Sequence, residues 1–211
     1  MPNINVSILG PKKEDMSKVI DDLYSAGVRR IHCDVLDGRY NKGKYNIDVI
    51  SPELTSELKK KGFFVETHLM TELSDNIIMP YLLAKPDRLF IHLEAGPYKE
   101  VNRVKGLAQL YGLKTGLAIE PNTPPELLRN HNLDCLLVMS VFTGLSGQKY
   151  IDQSDKIRQI REIYPQLPIT IDGGINSETI KKVSGVDDAV SASFVLNHPK
   201  GYKAALEELI K

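Results

Sequence analysis

The chain has 211 residues, 42% of them apolar and 26% charged, with 27 Lys and Arg balanced by 27 Asp and Glu. That length buries a substantial core without disulfides, and the mix excludes extended disorder. Zero formal charge argues against nucleic acid as the main partner, because a phosphate backbone selects a basic surface. Cys33 and Cys135 are the only cysteines, too few for a disulfide framework and in keeping with a reducing, cytoplasmic setting. The first residues carry no basic segment leading into an apolar stretch, so no secretory signal is expected. No apolar run approaches the length of a membrane span.

Short β-branched runs alternate with amphipathic stretches. The predicted strands are Ile4–Leu9, Arg30–Val35, Phe63–Met70, Arg88–His92, Thr115–Ile119, Cys135–Ser140, Ile169–Asp172 and Asp188–Ser191. The predicted helices are Glu14–Ala26, Pro52–Lys61, Asn76–Lys85, Lys99–Tyr111, a short one at Pro125–Arg129, Gln153–Tyr164, Ser177–Val183 and Tyr202–Ile210. Pro52 at a helix start and Gly62 just past its end follow the known asymmetry of helix termini. Eight strand–helix units without a composition break point to parallel strands with helical crossovers, and close naturally into a (β/α)₈ TIM barrel. A single domain, residues 1–211, is expected. The alternation alone also fits an open doubly wound sheet. A dinucleotide-binding turn is disfavoured, because the first strand leads into Gly10, Pro11 and Lys12 rather than a G-x-G-x-x-G loop.

In a barrel the reactive side chains sit at the C-terminal ends of the strands. Polar residues collect there: Ser7, His32, Asp34, Glu66, His68, His92, Glu94 and Asp172. Alternate strand residues share a face, so His32 and Asp34 point together while Cys33 points toward the helices as a packing residue. Glu66, His68 and Met70 also share a face. Each residue alone is ordinarily a hydrogen-bonded core or turn residue, and His92 in part stays under that reading as a support for the site. Together, His32, Asp34, His68 and Asp172 form a mixed nitrogen and oxygen set suited to one divalent ion: zinc or iron(II) foremost, cobalt or manganese otherwise. Buried charges side by side are costly unless a metal or counter-charge is present.

From His32 through Asp34 to Asp37-Gly38 the chain resembles the ribulose-phosphate 3-epimerase family, which carries a His-x-Asp-x-Met-Asp-Gly segment. The resemblance extends to His68-Leu69-Met70, to Met139-Ser140-Val141 followed by Gly144, Gly147 and Gln148, and to Asp172-Gly173-Gly174. In order, these motifs run from Ser7 to about Ser193. The resemblance implies that His32, Asp34, His68 and Asp172 hold one divalent metal, and that Asp34 and Asp172 are also the acid and base. Ser7 and His68 would touch the substrate. Met70 and Met139 would line the pocket below the reacting carbon, with Leu36 in place of a family methionine. The implied activity is epimerisation at C3 of a ketose phosphate, by default ribulose 5-phosphate to xylulose 5-phosphate, through a 2,3-enediolate. The same reaction on another ketose phosphate, such as a hexulose phosphate, is the alternative. A barrel that binds a sugar phosphate or metal without turnover is the reading from a different class. The expected partners are a small-molecule ketose phosphate and further copies of the chain, with no nucleic acid and no membrane.

Several segments depart from the family pattern. Arg39-Tyr40-Asn41-Lys42 stands where Phe-Val-Pro-Asn is usual, and Ile119-Glu120-Pro121 where Leu-Asn-Pro is usual. Phe142-Thr143-Gly144-Leu145-Ser146-Gly147-Gln148 replaces Asn-Pro-Gly-Phe-Gly-Gly-Gln, and Ala192-Ser193 replaces Gly-Ser. The phosphate is expected against Gly144, Ser146, Gly147, Gly173, Gly174, Ala192 and Ser193, whose small size lets backbone N–H groups approach an anion. No lysine stands among the polar strand-end residues, which disfavours a barrel decarboxylase or aldolase.

Overall fold

The computed structural model describes residues 1–40, 48–144 and 148–211. Eight parallel strands form the wall: β1 (Asn3–Ser7), β2 (Arg30–Leu36), β4 (Phe64–Met70), β5 (Arg88–His92), β6 (Lys114–Ile119), β7 (Cys135–Met139), β8 (Ile169–Asp172) and β9 (Asp188–Ser191). Each predicted strand is present to within two residues at either end. Neighbours run β1-β9-β8-β7-β6-β5-β4-β2, and β1 pairs with β2 through Val6 and Ile31, and Ser7 and His32. That last pairing closes the sheet into a (β/α)₈ barrel and removes the open doubly wound alternative. A two-residue strand β3 (Asp48–Val49), not anticipated from sequence, runs antiparallel to the end of β2.

The crossovers are α1 (Met16–Ser25), α2 (Pro52–Lys60), α3 (Asp75–Ala84), α4 (Tyr98–Leu110) and α5 (Ser154–Ile163), with α6 (Ser193–Leu196) and α7 (Gly201–Leu209) closing the chain. Their inward faces recur at three- and four-residue spacing, as Met16, Ile20 and Leu23 in α1 and Ile157 and Ile160 in α5, which is the period of one helix face. The α2 start follows its sequence signals: Pro52 opens the first turn and Ser51 Oγ accepts the Leu54 N–H at 3.2 Å, a side-chain cap for an otherwise unpaired donor. Gly62 just beyond adopts φ +94°, a conformation only glycine takes without strain.

The expected helix at Ser177–Val183 is reduced to a 3₁₀ turn at Ile180–Lys182. Asn176 Oδ1 accepts the N–H groups of Glu178 and Thr179, and Thr179 Oγ1 donates to the Gly174 carbonyl. These local side-chain bonds offer the backbone an alternative to the helical ladder.

Two apolar layers result. The outer one, between strands and helices, contains Cys33, Leu58, Val65, Leu89 and Ile169. Cys33 therefore points outward as its parity requires, and burial pushes its thiol pKa up, away from the thiolate. The inner layer fills one side of the barrel with Phe90, Ala118, Cys135, Leu137, Met139 and Val141. Gly116 admits this packing: a Cβ there would lie 2.5 Å from the Cys135 carbonyl and 2.8 Å from Phe90. The opposite side of the interior carries the polar residues Ser7, His32, Asp34, Glu66 and His68, and that asymmetry positions the site.

Candidate active site

The N-terminal floor of the barrel is an ion-pair layer. Arg88 bridges Glu66 at 2.8 Å and Asp188, while Arg30 reaches Asp188 at 2.9 Å and donates to Asn5 Oδ1 at 2.6 Å. Asn5 Nδ2 donates to Glu66 Oε2, also at 2.6 Å. Glu66 is fully buried, and this cradle keeps it ionised: burial alone would raise its pKa, but His32 and Arg88 pull it below its ordinary value. A buried carboxylate survives only with such partners.

One step up, His32 Nδ1 faces Glu66 Oε2 at 3.2 Å, so Nδ1–H donates there and Nε2 is turned to the barrel axis. That Nε2 is buried with no hydrogen-bond partner among the described residues. Around it stand Asp34 Oδ1 at 3.3 Å and Asp172 Oδ2 at 3.8 Å. His68 Nδ1 lies 3.1 Å from the same Asp34 oxygen and 3.8 Å from the same Asp172 oxygen. One ligand atom from each of His32, Asp34, His68 and Asp172 fits within 4.8 Å of the others. β2 supplies two of them by period-two alternation, β4 supplies His68 in register with Asp34, and β8 ends on Asp172. An orphaned imidazole nitrogen aimed at two carboxylates, with a second imidazole alongside, suits a divalent ion of borderline character.

The charges of the chain alone follow from the geometry. Burial works against an imidazolium at His32, but Asp34, Glu66 and Asp172 outweigh it and raise its pKa well above the usual value. Burial opposes ionisation of Asp34 too, yet His32 and His68 hold it far below the carboxylate range. Asp172 is pushed up to about 7, by burial first and then by the neighbouring Asp34 and Glu66 against the pull of His32. His68 is lowered to about 4 by burial and by the other imidazoles, against the pull of Asp34.

A cavity of about 560 Å³ opens above these carboxylates at the C-terminal face. Its wall includes Ser7, Asp34, Leu36, Met70, Met139 and Asp172. Gly144, Gly173, Gly174, Ala192 and Ser193 also line it, so these expected phosphate neighbours share one space with the acid/base pair. Ser146 and Gly147, expected beside them, lie outside the described residues, as does Leu145. His68, expected to touch substrate as well as metal, is fully buried and does not line the cavity. Ala192 sits at φ −107°, so the backbone there does not require glycine. Gly173 and Gly174 adopt φ +117° and +65°, and a Cβ at Gly173 would lie 2.5 Å from Val141.

Three surrounding residues have roles that sequence reading did not assign. Glu66 orients His32; its parity was visible, but its partners Arg88 and Asp188 come from distant strands. Tyr40 stacks on His92 with ring centroids 4.8 Å apart. Glu120 accepts the Thr143 N–H at 3.2 Å. His131 and His198 stand away from this cluster, beside Tyr98 and Phe194 respectively.

Among the described residues, no helix is long and apolar enough to cross a membrane. In fold, the chain is similar to 3-keto-L-gulonate-6-phosphate decarboxylase from Vibrio cholerae O1 biovar El Tor (TM-score 0.70, 17% identity, 99% of this chain and 97% of that one). It is also similar to a 3-hexulose-6-phosphate synthase (TM-score 0.70, 14% identity, 98% and 97%). In sequence it is 34% identical to ribulose-phosphate 3-epimerase of Rhodobacter capsulatus, over 90% of this chain and 83% of that protein. It is 30% identical to the enzyme of that name from Escherichia coli K12, over 93% and 87%. The model of the ribulose-phosphate 3-epimerase family matches residues 3–196. With the motifs in order on one barrel and the His/Asp cluster at its C-terminal mouth, the chain belongs to the ribulose-phosphate 3-epimerase family.

Proposed function

We propose that the protein epimerises D-ribulose 5-phosphate and D-xylulose 5-phosphate at C3, with Asp34 and Asp172 as the two acid/base groups. The observation that carries this reading is the unequal carboxylate pair: both line one cavity, yet their surroundings drive their pKa values apart. Such separation assigns a base and an acid. Asp34, ionised, takes the C3 proton from one face of the ketose. The electron pair of the broken C–H bond flows into a 2,3-enediolate. Asp172, which holds a proton near neutrality, delivers it to the opposite face of C3. The roles exchange in the reverse direction. β2 and β8 are separated in the wall by β1 and β9, which lets the two carboxylates approach the carbon from different sides.

His32, Asp34, His68 and Asp172 would hold one divalent ion, which when bound supplies Lewis-acid stabilisation to the oxyanion developing at C2. Zinc or iron(II) fits the donor set best, with cobalt or manganese as alternatives. Ser7 positions Asp34 and contacts the substrate. Leu36, Met70 and Met139 give the planar intermediate a dry, polarisable wall that does not compete for its protons. The phosphate lies against Gly144, Gly173, Gly174 and Ala192-Ser193, which line the cavity.

A coupled assay on a panel of ketose phosphates, run with and without a chelator, tests the reading. Epimerisation of ribulose 5-phosphate, abolished by chelator and restored by added divalent ion, is expected. Turnover only of a hexulose phosphate would move the substrate assignment to the altered loops. Full activity in protein shown by elemental analysis to be metal-free would sink the metal assignment.

A further inference from the structure

His68 and His92 meet nitrogen to nitrogen: their Nε2 atoms are 2.8 Å apart, with ring centroids 4.9 Å apart and ring planes at 32°. Two imidazoles in that contact share one proton, so one ring must be the donor and the other the acceptor. Which way it runs is decided on the far side of His92. Its Nδ1 lies 3.3 Å from Glu94 Oε2 and 3.9 Å from Glu120 Oε1. A carboxylate only accepts, so His92 carries its proton on Nδ1, and its Nε2 is the acceptor. The proton between the two rings then belongs to His68 Nε2, which leaves the His68 Nδ1 lone pair facing Asp34 and Asp172. The opposite arrangement would let His68 Nδ1–H donate to Asp34 Oδ1 at 3.1 Å, but it would set a lone pair of His92 against Glu94 and put a proton of His68 where a metal must sit.

We propose that His92, oriented by Glu94, is a positioning residue that fixes the tautomer and ring plane of the ligand His68. The assignment rests on the metal reading above. His92 is fully buried, with Tyr40 stacked on it and Thr143 Oγ1 3.3 Å from its Nε2. Glu94 is fixed in turn, since its Oε1 accepts the Glu120 N–H at 3.0 Å and the Thr123 hydroxyl. That double acceptance makes the isosteric change informative. In Glu94→Gln the amide oxygen must stay on the side of those two donors, so the NH₂ group faces His92 Nδ1. His92 would then accept at Nδ1 and donate from Nε2, and His68 would be driven to the Nδ1–H form.

The test is chelator competition on zinc-loaded protein, together with ¹⁵N imidazole shifts of the metal-free protein. Outer partners of this kind change metal affinity by roughly 10- to 100-fold, and Glu94→Gln is expected to lose that much and to show His68 protonated at Nδ1. His92→Phe, which keeps a ring but no acceptor, is expected to lose a similar amount. His92→Gln, whose side-chain oxygen can accept the His68 proton, should recover most of the affinity. A folded Glu94→Gln protein with wild-type zinc affinity and unchanged tautomers would overturn the proposal. Should Glu94→Gln fail to fold, wild-type affinity in His92→Phe would overturn it equally. If the wild type itself binds no divalent ion, it is the metal reading that falls, and the relay falls with it.

Discussion

Ser7 donates its hydroxyl proton to Oδ2 of Asp34 at 2.7 Å, while Oδ1 of the same carboxylate stands 3.1 Å from His68 Nδ1. The Ser7 oxygen also accepts the Leu9 N–H at 3.3 Å, which leaves its own proton for Asp34. One oxygen of the carboxylate is thus held by β1 and the other faces the imidazoles. Hydrogen bonds to charged groups contribute about 1.5–3 kcal/mol. Ser7→Ala is therefore expected to lower kcat/KM by roughly 10- to 100-fold, with metal content retained. A variant within twofold of wild type in a steady-state assay would show that Asp34 needs no such restraint.

Asp34→Asn and Asp172→Asn are each expected to lose roughly 10²- to 10⁴-fold in turnover, the range for a positioned acid or base. Both also weaken metal binding, so the measurement is turnover in D₂O at saturating metal, following deuterium at C3. A folded, metal-loaded variant of either aspartate that kept most of its rate would remove that residue from the proton transfer.

Metal affinity should rise with pH. His32 and Asp172 both have raised pKa values in the chain alone, Asp172 to about 7. Below its raised value His32 carries a proton that an incoming cation must displace, while Asp172, the acid of the proposed reaction, keeps its own. His68, lowered to about 4, and Asp34, held far below its usual range, carry none near neutrality. Binding should release about one proton per ion at pH 6, the one displaced from His32 on ligation. Titration calorimetry in two buffers of different ionisation enthalpy measures this directly. Binding enthalpies independent of the buffer would contradict the charge assignment.

Glu66→Gln should affect two things at once. Among the described residues it leaves Arg88 with Asp188 as its one ion-pair partner, and it gives His32 a neutral partner. Breaking one partner of a buried pair costs about 3–5 kcal/mol, and an amide that keeps part of the hydrogen bonding should cost less. A thermal midpoint several degrees lower is expected, accompanied by weaker metal binding. A stable variant with wild-type metal affinity would separate the floor of the barrel from the site above it.

Gly173→Ala should destabilise the fold itself. The position has φ +117°, and its Cβ would meet Val141 at 2.5 Å. Strain in that region costs on the order of 1–3 kcal/mol before the clash is counted. A clear drop in thermal midpoint is expected. Ala192→Gly, by contrast, relieves no backbone strain at φ −107°, so its effect should appear in KM for the phosphorylated ketose. Equal melting of Gly173→Ala and wild type would mean that the loop after β8 relaxes freely.

Chain-local geometry determined much of this molecule before any fold was known. Period-two alternation put His32 with Asp34 and turned Cys33 away, and it put Glu66, His68 and Met70 on one face. Helix-end residues such as Pro52 and Gly62 marked the crossovers. Those features depend only on residues a few positions apart, where backbone dihedrals dictate direction. Closure of β1 on β2 was decided by the tertiary structure, because strand alternation is the same for an open sheet. Arg88 lies 22 residues from Glu66 and 100 from Asp188, and the sequence carries no period that joins them. The contact of His68 with His92 is of the same kind: only the neighbouring placement of β4 and β5 brings their strand ends together. The Ser177–Val183 segment has helix-forming residues, but Asn176 and Thr179 bond the turn that follows Gly174. There the packed loop overruled propensity, since a few well-placed side-chain bonds outweigh a preference worth only tenths of a kcal/mol per residue.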